Sequence, residues 1–302
     1  MNAPRRTPRR SIDGVVMLDK PLGLTSNAAL QKVRHLYRAD KAGHTGTLDP
    51  LATGLLPLCL GEATKFAGTL LDADKTYEAG VRLGITTTTA DAEGAVREVR
   101  PVQVDAAQLE AALQRFRGDI AQVPPMYSAL KRDGRPLYEY ARQGQEVERA
   151  ARAVTIHELQ LMQFSGERLS IRVRCSKGTY IRTLAEDIGA ALGCGAHLES
   201  LRRTAIGPYT LSQAHSLAAL EAMPEDARDA LLAPVDALLA ELPVVQLSPV
   251  EAERLLQGQA LSWQGTAVTG LCRAYWQERF LGLCEIFAEG RLVSRRLLAG
   301  KT

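Results

Sequence analysis

Residues 14–20 (Gly-Val-Val-Met-Leu-Asp-Lys) are apolar almost without interruption and are ended by Pro21 and Gly23, which predicts a short buried strand. Thr25 or Ser26 can cap a helix running to about Arg38, with Leu30, Val33 and Tyr37 on its apolar face and Lys32, Arg34 and Arg38 outward. Lys75 to Leu83 alternates apolar and polar positions, as a strand does. Between residues 105 and 117, Leu109, Ala112, Leu113 and Phe116 repeat at helical spacing until Gly118 ends the pattern. From Leu169 to Ser176 strict alternation puts Ile171, Val173 and Cys175 on one face and Arg172 and Arg174 on the other. Lys177-Gly178 then turns the chain into a helix with Ile181, Leu184, Ile188 and Leu192 as its core stripe; Tyr180 and Arg182 lie off that stripe near its start.

An alanine- and leucine-rich helical segment is expected from about 211 to 242. Beyond Pro243 the pattern changes to short β-like runs (267–271, 280–286, 292–298) separated by glycines at 265, 270, 282 and 290. The expected division is a basic flexible tail at 1–12, a main domain at 13–243, and a β-rich module at 244–302 that is small for independent stability and therefore docked on its neighbour. Strands interleaved irregularly with helices predict an α+β fold, a mixed and largely antiparallel sheet flanked by helices.

Composition narrows the chemistry. Apolar content of 46% and charged content of 24% suit a water-soluble protein, and no apolar run approaches the roughly 20 residues of a membrane helix. Arg5, Arg6, Arg9 and Arg10 precede no apolar stretch with a cleavage site, so a secretory signal is not expected. The five cysteines (Cys59, Cys175, Cys194, Cys272 and Cys284) form no C-x-x-C pair, which fits the cytoplasm and suggests neither disulfides nor zinc. The histidines lack metal-ligand spacing and no phosphate-cradling glycine motif occurs, so no cofactor is expected. Net charge is only +3, but basic residues gather near 32–41, 131–142 and 177–203 while acidic ones concentrate around 221–236, an asymmetry that suits a nucleic-acid surface.

The candidate chemistry centres on Gly43-His44-Thr45-Gly46-Thr47-Leu48-Asp49-Pro50-Leu51-Ala52-Thr53-Gly54, which sets one carboxylate among glycines, threonines and small apolar residues. Gly43 and Gly46 permit unusual backbone angles, and Pro50 biases Asp49 toward an extended conformation. Such a loop can hold a nucleophile or general base in a fixed pose. Taken alone, it also reads as a turn whose aspartate caps a helix beginning near Leu51.

Six segments together resemble the TruB family of bacterial tRNA pseudouridine synthases over nearly the whole chain. They are Gly14–Pro21 with Gly23 through Asn27, Ala42–Ala67, Lys75-Thr76-Tyr77, Pro124–Tyr140, Cys175–Leu184 and Gly193–Thr204. The resemblance implies a pseudouridine synthase domain at 13–243 followed by a small PUA-like, β-barrel-like RNA-binding domain. It implies isomerisation of uridine 55 in the T-arm of tRNA by breaking the N-glycosidic bond, rotating the base and forming a C–C bond, by a monomer without an obligate protein partner. Asp49 matches the family's essential aspartate and Arg182 the arginine that pairs with it. Tyr77 matches the tyrosine that stacks on the uracil and serves in proton transfer. Tyr180 and Leu201 match pocket positions that contact the base, and His44 a stacking wedge for base extrusion.

On the same reading Lys20, Lys65, Lys131, Arg142, Lys177 and Arg202 are candidates for backbone phosphate contacts. Burial of Asp49 in a largely dry pocket would demand a nearby cation. One departure is Thr88, where the family often has an acidic residue; with Asp91 retained, a change in loop hydrogen bonding is expected. The competing reading is a tRNA-binding or tRNA-folding factor whose pocket is secondary. A glycoside hydrolase would need a second carboxylate at defined separation, and the distinct middle segment argues against dependence on guide RNA and partner proteins.

Overall fold

A computed structural model describes residues 8–265 and 269–299. Residues 1–7 of the expected tail, and part of the β-like run expected at 267–271, lie outside the described residues. Within the remainder of the tail, Arg10 is anchored: its guanidinium bonds Asp229 Oδ1 at 2.6 Å and Glu225 Oε1 at 3.0 Å, and its amide donates to Arg38 O.

Strand β1 (Gly14–Lys20) is covered on both faces, which is why it is apolar without alternation. Helix α1 (Ser26–Leu36) starts at Thr25, whose side chain accepts from the amide of Ala28, and buries Ala29, Leu30 and Val33. β2 (Ala42–His44) pairs antiparallel with β3 (Ala52–Leu60). No helix begins at Leu51. The apolar run there is a strand buried between neighbours, an environment whose continuous hydrophobicity carries no period to distinguish it from a buried helix.

β4 (Lys75–Leu83) follows, then a hairpin of β5 (Ile85–Thr87) and β6 (Val96–Val99). α2 (Ala106–Gln114) opens with a capping box between Asp105 and Gln108. After β7 (Gly118–Gln122) the small hairpin β8 (Lys131–Arg132) and β9 (Arg135–Pro136) leads into α3 (Leu137–Arg142). Two long strands, β10 (Arg152–Ser165) and β11 (Arg168–Cys175), pair antiparallel before α4 (Ile181–Ala191). β12 (Ala196–Ile206), β13 (Tyr209–Thr210) and β14 (His215–Ser216) complete the main sheet.

The sheet runs β14-β1-β3-β12-β4-β11-β10-β7, with β2 beside β3 and β13 beside β12. Only β1·β14 and β3·β12 are parallel, so the fold is the mixed, largely antiparallel α+β arrangement expected. The continuous helical segment expected at 211–242 is instead broken into α5 (Leu217–Ala222), α6 (Glu225–Asp229) and two single 3-10 turns. Pro224 and Pro234 supply no amide hydrogen, so the apolar stripe cannot continue through them as one helix.

The C-terminal module holds β15 (Val244–Gln246), α7 (Pro249–Leu256), β16 (Leu261–Ser262), β17 (Gly270–Trp276), β18 (Arg279–Phe287) and β19 (Arg291–Leu297), in sheet order β15-β17-β18-β19-β16. It is docked by a tilted contact of Phe66 on Phe280 with ring centroids 5.6 Å apart and by an Arg273–Asp236 pair at 2.9 Å. Lys65 donates from Nζ to Leu297 O at 2.9 Å across the same junction.

β12 is the keystone for the site. Leu201 lies opposite Ala52 of β3 and Ala79 of β4, and Arg203 opposite Gly54 and Tyr77. Gly54 has φ +102°, and a Cβ there would stand 2.2 Å from the Arg203 carbonyl oxygen. Gly54→Ala therefore forces β3 and β12 apart and should destabilise the protein by roughly 3 kcal/mol or more. The check is thermal unfolding; an unchanged melting temperature would show that the two strands do not need this close approach.

Candidate active site

The turn between β2 and β3 carries Asp49, and the first residue of α1 holds that turn in place. Ser26, 2% exposed, accepts from the Leu48 amide at 2.7 Å and donates to the Leu48 carbonyl at 3.1 Å. Gly23 N to Pro50 O (2.9 Å) and Ala52 N to Asp49 O (3.0 Å) close the other side. The glycine- and proline-rich sequence thus forms a loop pinned at both ends, with the Asp49 side chain as its outward polar group.

Arg182, the second residue of α4, meets that side chain. Its Nε is 3.1 Å from Asp49 Oδ2 and its Nη1 3.6 Å from Asp91 Oδ2. Nη1 also donates to the Thr89 carbonyl (3.2 Å) and Nη2 to the Tyr127 carbonyl (2.7 Å). The planar five-donor guanidinium fits this set of four oxygen partners, and a lysine could not hold them all. Although Arg182 lies off the apolar stripe of α4, it is buried.

Asp91 is fixed in turn by Thr89 Oγ1 (2.5 Å) and the Glu93 amide (3.1 Å). Thr88, the position of the departure noted above, accepts from the Ala95 amide at 3.1 Å and so closes the tip of the β5–β6 hairpin.

One cation is therefore shared by two carboxylates, leaving a net negative trio. The Asp49 carboxyl is held above the usual carboxylate range: burial raises it most, Arg182 opposes that, Asp91 raises it further and Lys20 lowers it. Asp49 keeps 41% of its side-chain surface open while Arg182 keeps 7%.

Tyr77 is buried on β4, where its cross-strand neighbours are Val173 and Arg203. Burial pushes its phenol up, and the Arg203 guanidinium opposes the shift most strongly. Tyr180 stands at the N-cap of α4, its amide donating to Gln122 Oε1 at 3.0 Å, with its phenol also raised, chiefly by burial. Leu201 is buried in the core cluster that includes Tyr77. His44 ends β2, and burial drives its imidazole below the ordinary value, which favours a neutral ring and suits stacking better than proton carriage.

The six candidate phosphate contacts separate by what they already touch. Lys20 is fully buried, donating to the carbonyls of Pro21 (2.9 Å) and Leu24 (2.6 Å), and burial lowers it to about 8. Lys65 is engaged by Glu62 and Leu297 at the domain junction. Arg202 pairs with Asp19 at 2.7 Å, and Lys177 with Asp72 at 2.7 Å on an open surface. Lys131 is exposed on the β8–β9 hairpin, and Arg142 lies over the Tyr138 ring at 5.2 Å.

Sequence reasoning passed over Ser26 as a latch, Gln122 as the partner of Tyr180, and Arg203, which is 1% exposed. For Arg203 a signal existed: on a strand, positions two apart share a face, so it points the same way as the inward Leu201, and Arg202 points the other way.

Three family models match the chain in succession. They are TruB family pseudouridylate synthase (N-terminal domain) over residues 34–181, the tRNA pseudouridylate synthase B C-terminal domain over 182–240, and the pseudouridine synthase II TruB C-terminal model over 243–298. The tRNA pseudouridine synthase B of Azoarcus sp. is 61% identical over 298 residues, covering 99% of each chain. That of Aromatoleum aromaticum is 60% identical, covering 97% of this chain and 95% of its own.

Among solved structures, a Cbf5-Nop10-Gar1 complex aligns with TM-score 0.71 and 26% identity, covering 95% of this chain and 84% of that one. An H/ACA RNP bound to a substrate RNA containing 2'-deoxyuridine gives TM-score 0.71 at 23% identity, covering 95% and 86%, which shows the fold. The five-stranded C-terminal sheet fits a PUA-like domain. With consecutive models spanning residues 34–298 and relatives near 60% identity along almost their entire length, the chain belongs to the TruB family of pseudouridine synthases.

Proposed function

We propose that this enzyme converts uridine 55 in the T-loop of tRNA to pseudouridine without a cofactor, with Asp49 as the reacting carboxylate. The relatives' shared name, tRNA pseudouridine synthase B, supports tRNA as the substrate class. The observation that carries the residue assignment is the Asp49–Arg182 pair at 3.1 Å, in which the guanidinium is 7% exposed and the carboxylate 41%.

In the proposed reaction the C1′–N1 bond breaks and its electron pair leaves with the uracil. Asp49 either adds to C1′ or takes the 2′ proton, and both routes need the carboxylate ionised beside the sugar. The freed base turns so that C5 forms the new bond to C1′, displacing the Asp49 carboxylate from C1′ in the first route or with the 2′ proton returning from Asp49 to C2′ in the second. The C5 proton then departs to a base, its electron pair restoring the ring double bond, and Tyr77 is the group assigned to it.

Tyr77, Tyr180 and Leu201 would hold the loose base, and His44 would stack where the nucleotide leaves its loop. Lys131 and Arg142 would contact backbone phosphates, a reading supported by their exposure. Lys177 and Arg202 can exchange their aspartates for phosphate, whereas Lys20 and Lys65 act on the protein itself. The enzyme is assigned to the cytoplasm as a monomer; its five cysteines are free thiols, in keeping with a reducing compartment.

The test is incubation of an unmodified tRNA transcript with the enzyme, followed by base-resolved detection. Conversion confined to the T-loop uridine is expected, and absence of product with any tRNA overturns the assignment.

A pH prediction follows from the raised carboxyl. Because Asp49 must be ionised, the single-turnover rate should fall as pH drops through its pKa, at a higher pH than for an ordinary aspartate near 3.8. Lys20 lowers that value, so Lys20→Met should move the acid limb further up. A limb that ignores Lys20 would count against its electrostatic contact with Asp49.

A further inference from the structure

Arg203 is among the largest fully buried side chains of the protein, at 1% exposure. A guanidinium so placed is costly unless something answers its charge. Its Nε donates to the Leu55 carbonyl at 2.8 Å. Among the described residues, however, no carboxylate lies within ion-pair distance of it, and its Nη2 has no hydrogen-bond partner. A core position held this way calls for an explanation beyond packing, since an apolar side chain would fill the same space without a buried charge.

The neighbours supply one. Arg203 stands directly across the β12–β4 ladder from Tyr77. Its Nη1 also reaches under the Asp49 loop, where a Cβ on Gly46 would lie 3.9 Å from it. The charged and titratable groups that face the Tyr77 phenol are Arg203 from β12, Cys175 from β11 and Asp49 from the loop. Arg203 is the only cation of the three. A guanidinium has no acceptor, so in any hydrogen bond between the two the phenol oxygen accepts and the phenol proton points elsewhere.

We propose that Arg203 is a positioning residue for Tyr77: it fixes the phenol oxygen as an acceptor and stabilises the phenolate that takes the C5 proton. This rests on the reading of Tyr77 given above. The Tyr77 phenol first gives its proton to solvent; the C5–H bond then breaks with its electron pair returning to the ring, and the proton goes to the phenolate oxygen, which restores the phenol. Arg203 stays protonated throughout and touches no substrate atom. Its unanswered charge is complementary to the one anion that forms beside it during turnover.

The test uses the full chain with Arg203→Gln and Arg203→Lys, and Arg203→Met as a second neutral replacement should the Gln protein not fold. Two quantities are read: the single-turnover rate against pH on unmodified tRNA, and the phenolate absorbance of tRNA-free protein, with Tyr77 isolated by subtracting Tyr77→Phe. The neutral variants should lose about 10²-fold in rate while binding tRNA within a few-fold, and their Tyr77 phenolate should appear at higher pH. Arg203→Lys, which keeps the charge, should recover most of both.

A neutral variant that is slow but titrates Tyr77 like the wild type overturns the proposal, as does one with the wild-type rate. Equal losses in Lys and Gln overturn it too. Failure of the wild-type enzyme to make pseudouridine is a different result: it removes the assignment of the site, and with it the step that Arg203 would serve.

Discussion

Asp49→Asn is expected to bring pseudouridine formation down to background while leaving tRNA affinity within about threefold. Asparagine keeps the size of the side chain and can still accept the hydrogen bond from Arg182 Nε, which lies 3.1 Å from Asp49 Oδ2. What it loses is the charge and the nucleophilic oxygen pair, the properties that both chemical routes require. The fold should tolerate the change, because Asp49 is partly open and Asp91 remains to answer the guanidinium. Affinity should persist because backbone phosphates are contacted elsewhere and supply most of the binding. Single-turnover assays beside filter binding read the two quantities separately. Wild-type turnover by this variant would sink the assignment. A factor that acts only by refolding tRNA would keep its effect, so the same protein also separates the two classes of activity.

Arg182→Met should be the second most damaging change. It removes the cation shared by Asp49 and Asp91 and opens the hydrogen bonds to the Thr89 and Tyr127 carbonyls. Breaking a buried pair by deleting one partner costs about 3–5 kcal/mol. Expressed at the transition state, that is a rate loss of about 10²-fold to somewhat over 10³-fold. Since Arg182 lowers the Asp49 carboxyl, its loss should also carry the acid limb of the pH profile upward, more than Lys20→Met does. The stability effect should be non-additive: in the Asp49→Asn background, Arg182→Met leaves only one carboxylate without its partner. Additive melting-temperature changes, or wild-type rates from Arg182→Met, would show that the pair does not function as a unit.

The legible parts of this chain were those with a local period. The alternation of 169–176 and of 75–83, and the stripes of the helices near 26, 106 and 181, all appear as the strands and helices they predicted. The misjudged parts had no such signal. Leu55–Leu60 is continuously apolar because a core cluster covers each of its faces, one taking Leu56, Leu58 and Leu60 and the other Leu55 and Cys59, and the stretch 211–242 carries a helical composition that Pro224 and Pro234 interrupt. The site divides in the same way. Asp49, Tyr77 and Arg182 stood out through loop composition and family motifs. Lys65 looked like an RNA contact because its exposure and partners depend on where the C-terminal module docks.

By itself the sequence determined the α+β class, the change of character near residue 243, the glycine-rich segment that carries Asp49 and the resemblance to the family. Only the tertiary structure decided that one guanidinium serves two carboxylates, that Lys20 and Lys65 spend their charges on carbonyls and a glutamate of the protein, and that Arg203 is buried across the ladder from Tyr77 with no acid of its own among the described residues. The physical reason is common to all three. Periodicity is set by neighbours along the chain, whereas the cost of burying a charge is set by partners that meet it only after strands far apart in sequence have been laid side by side.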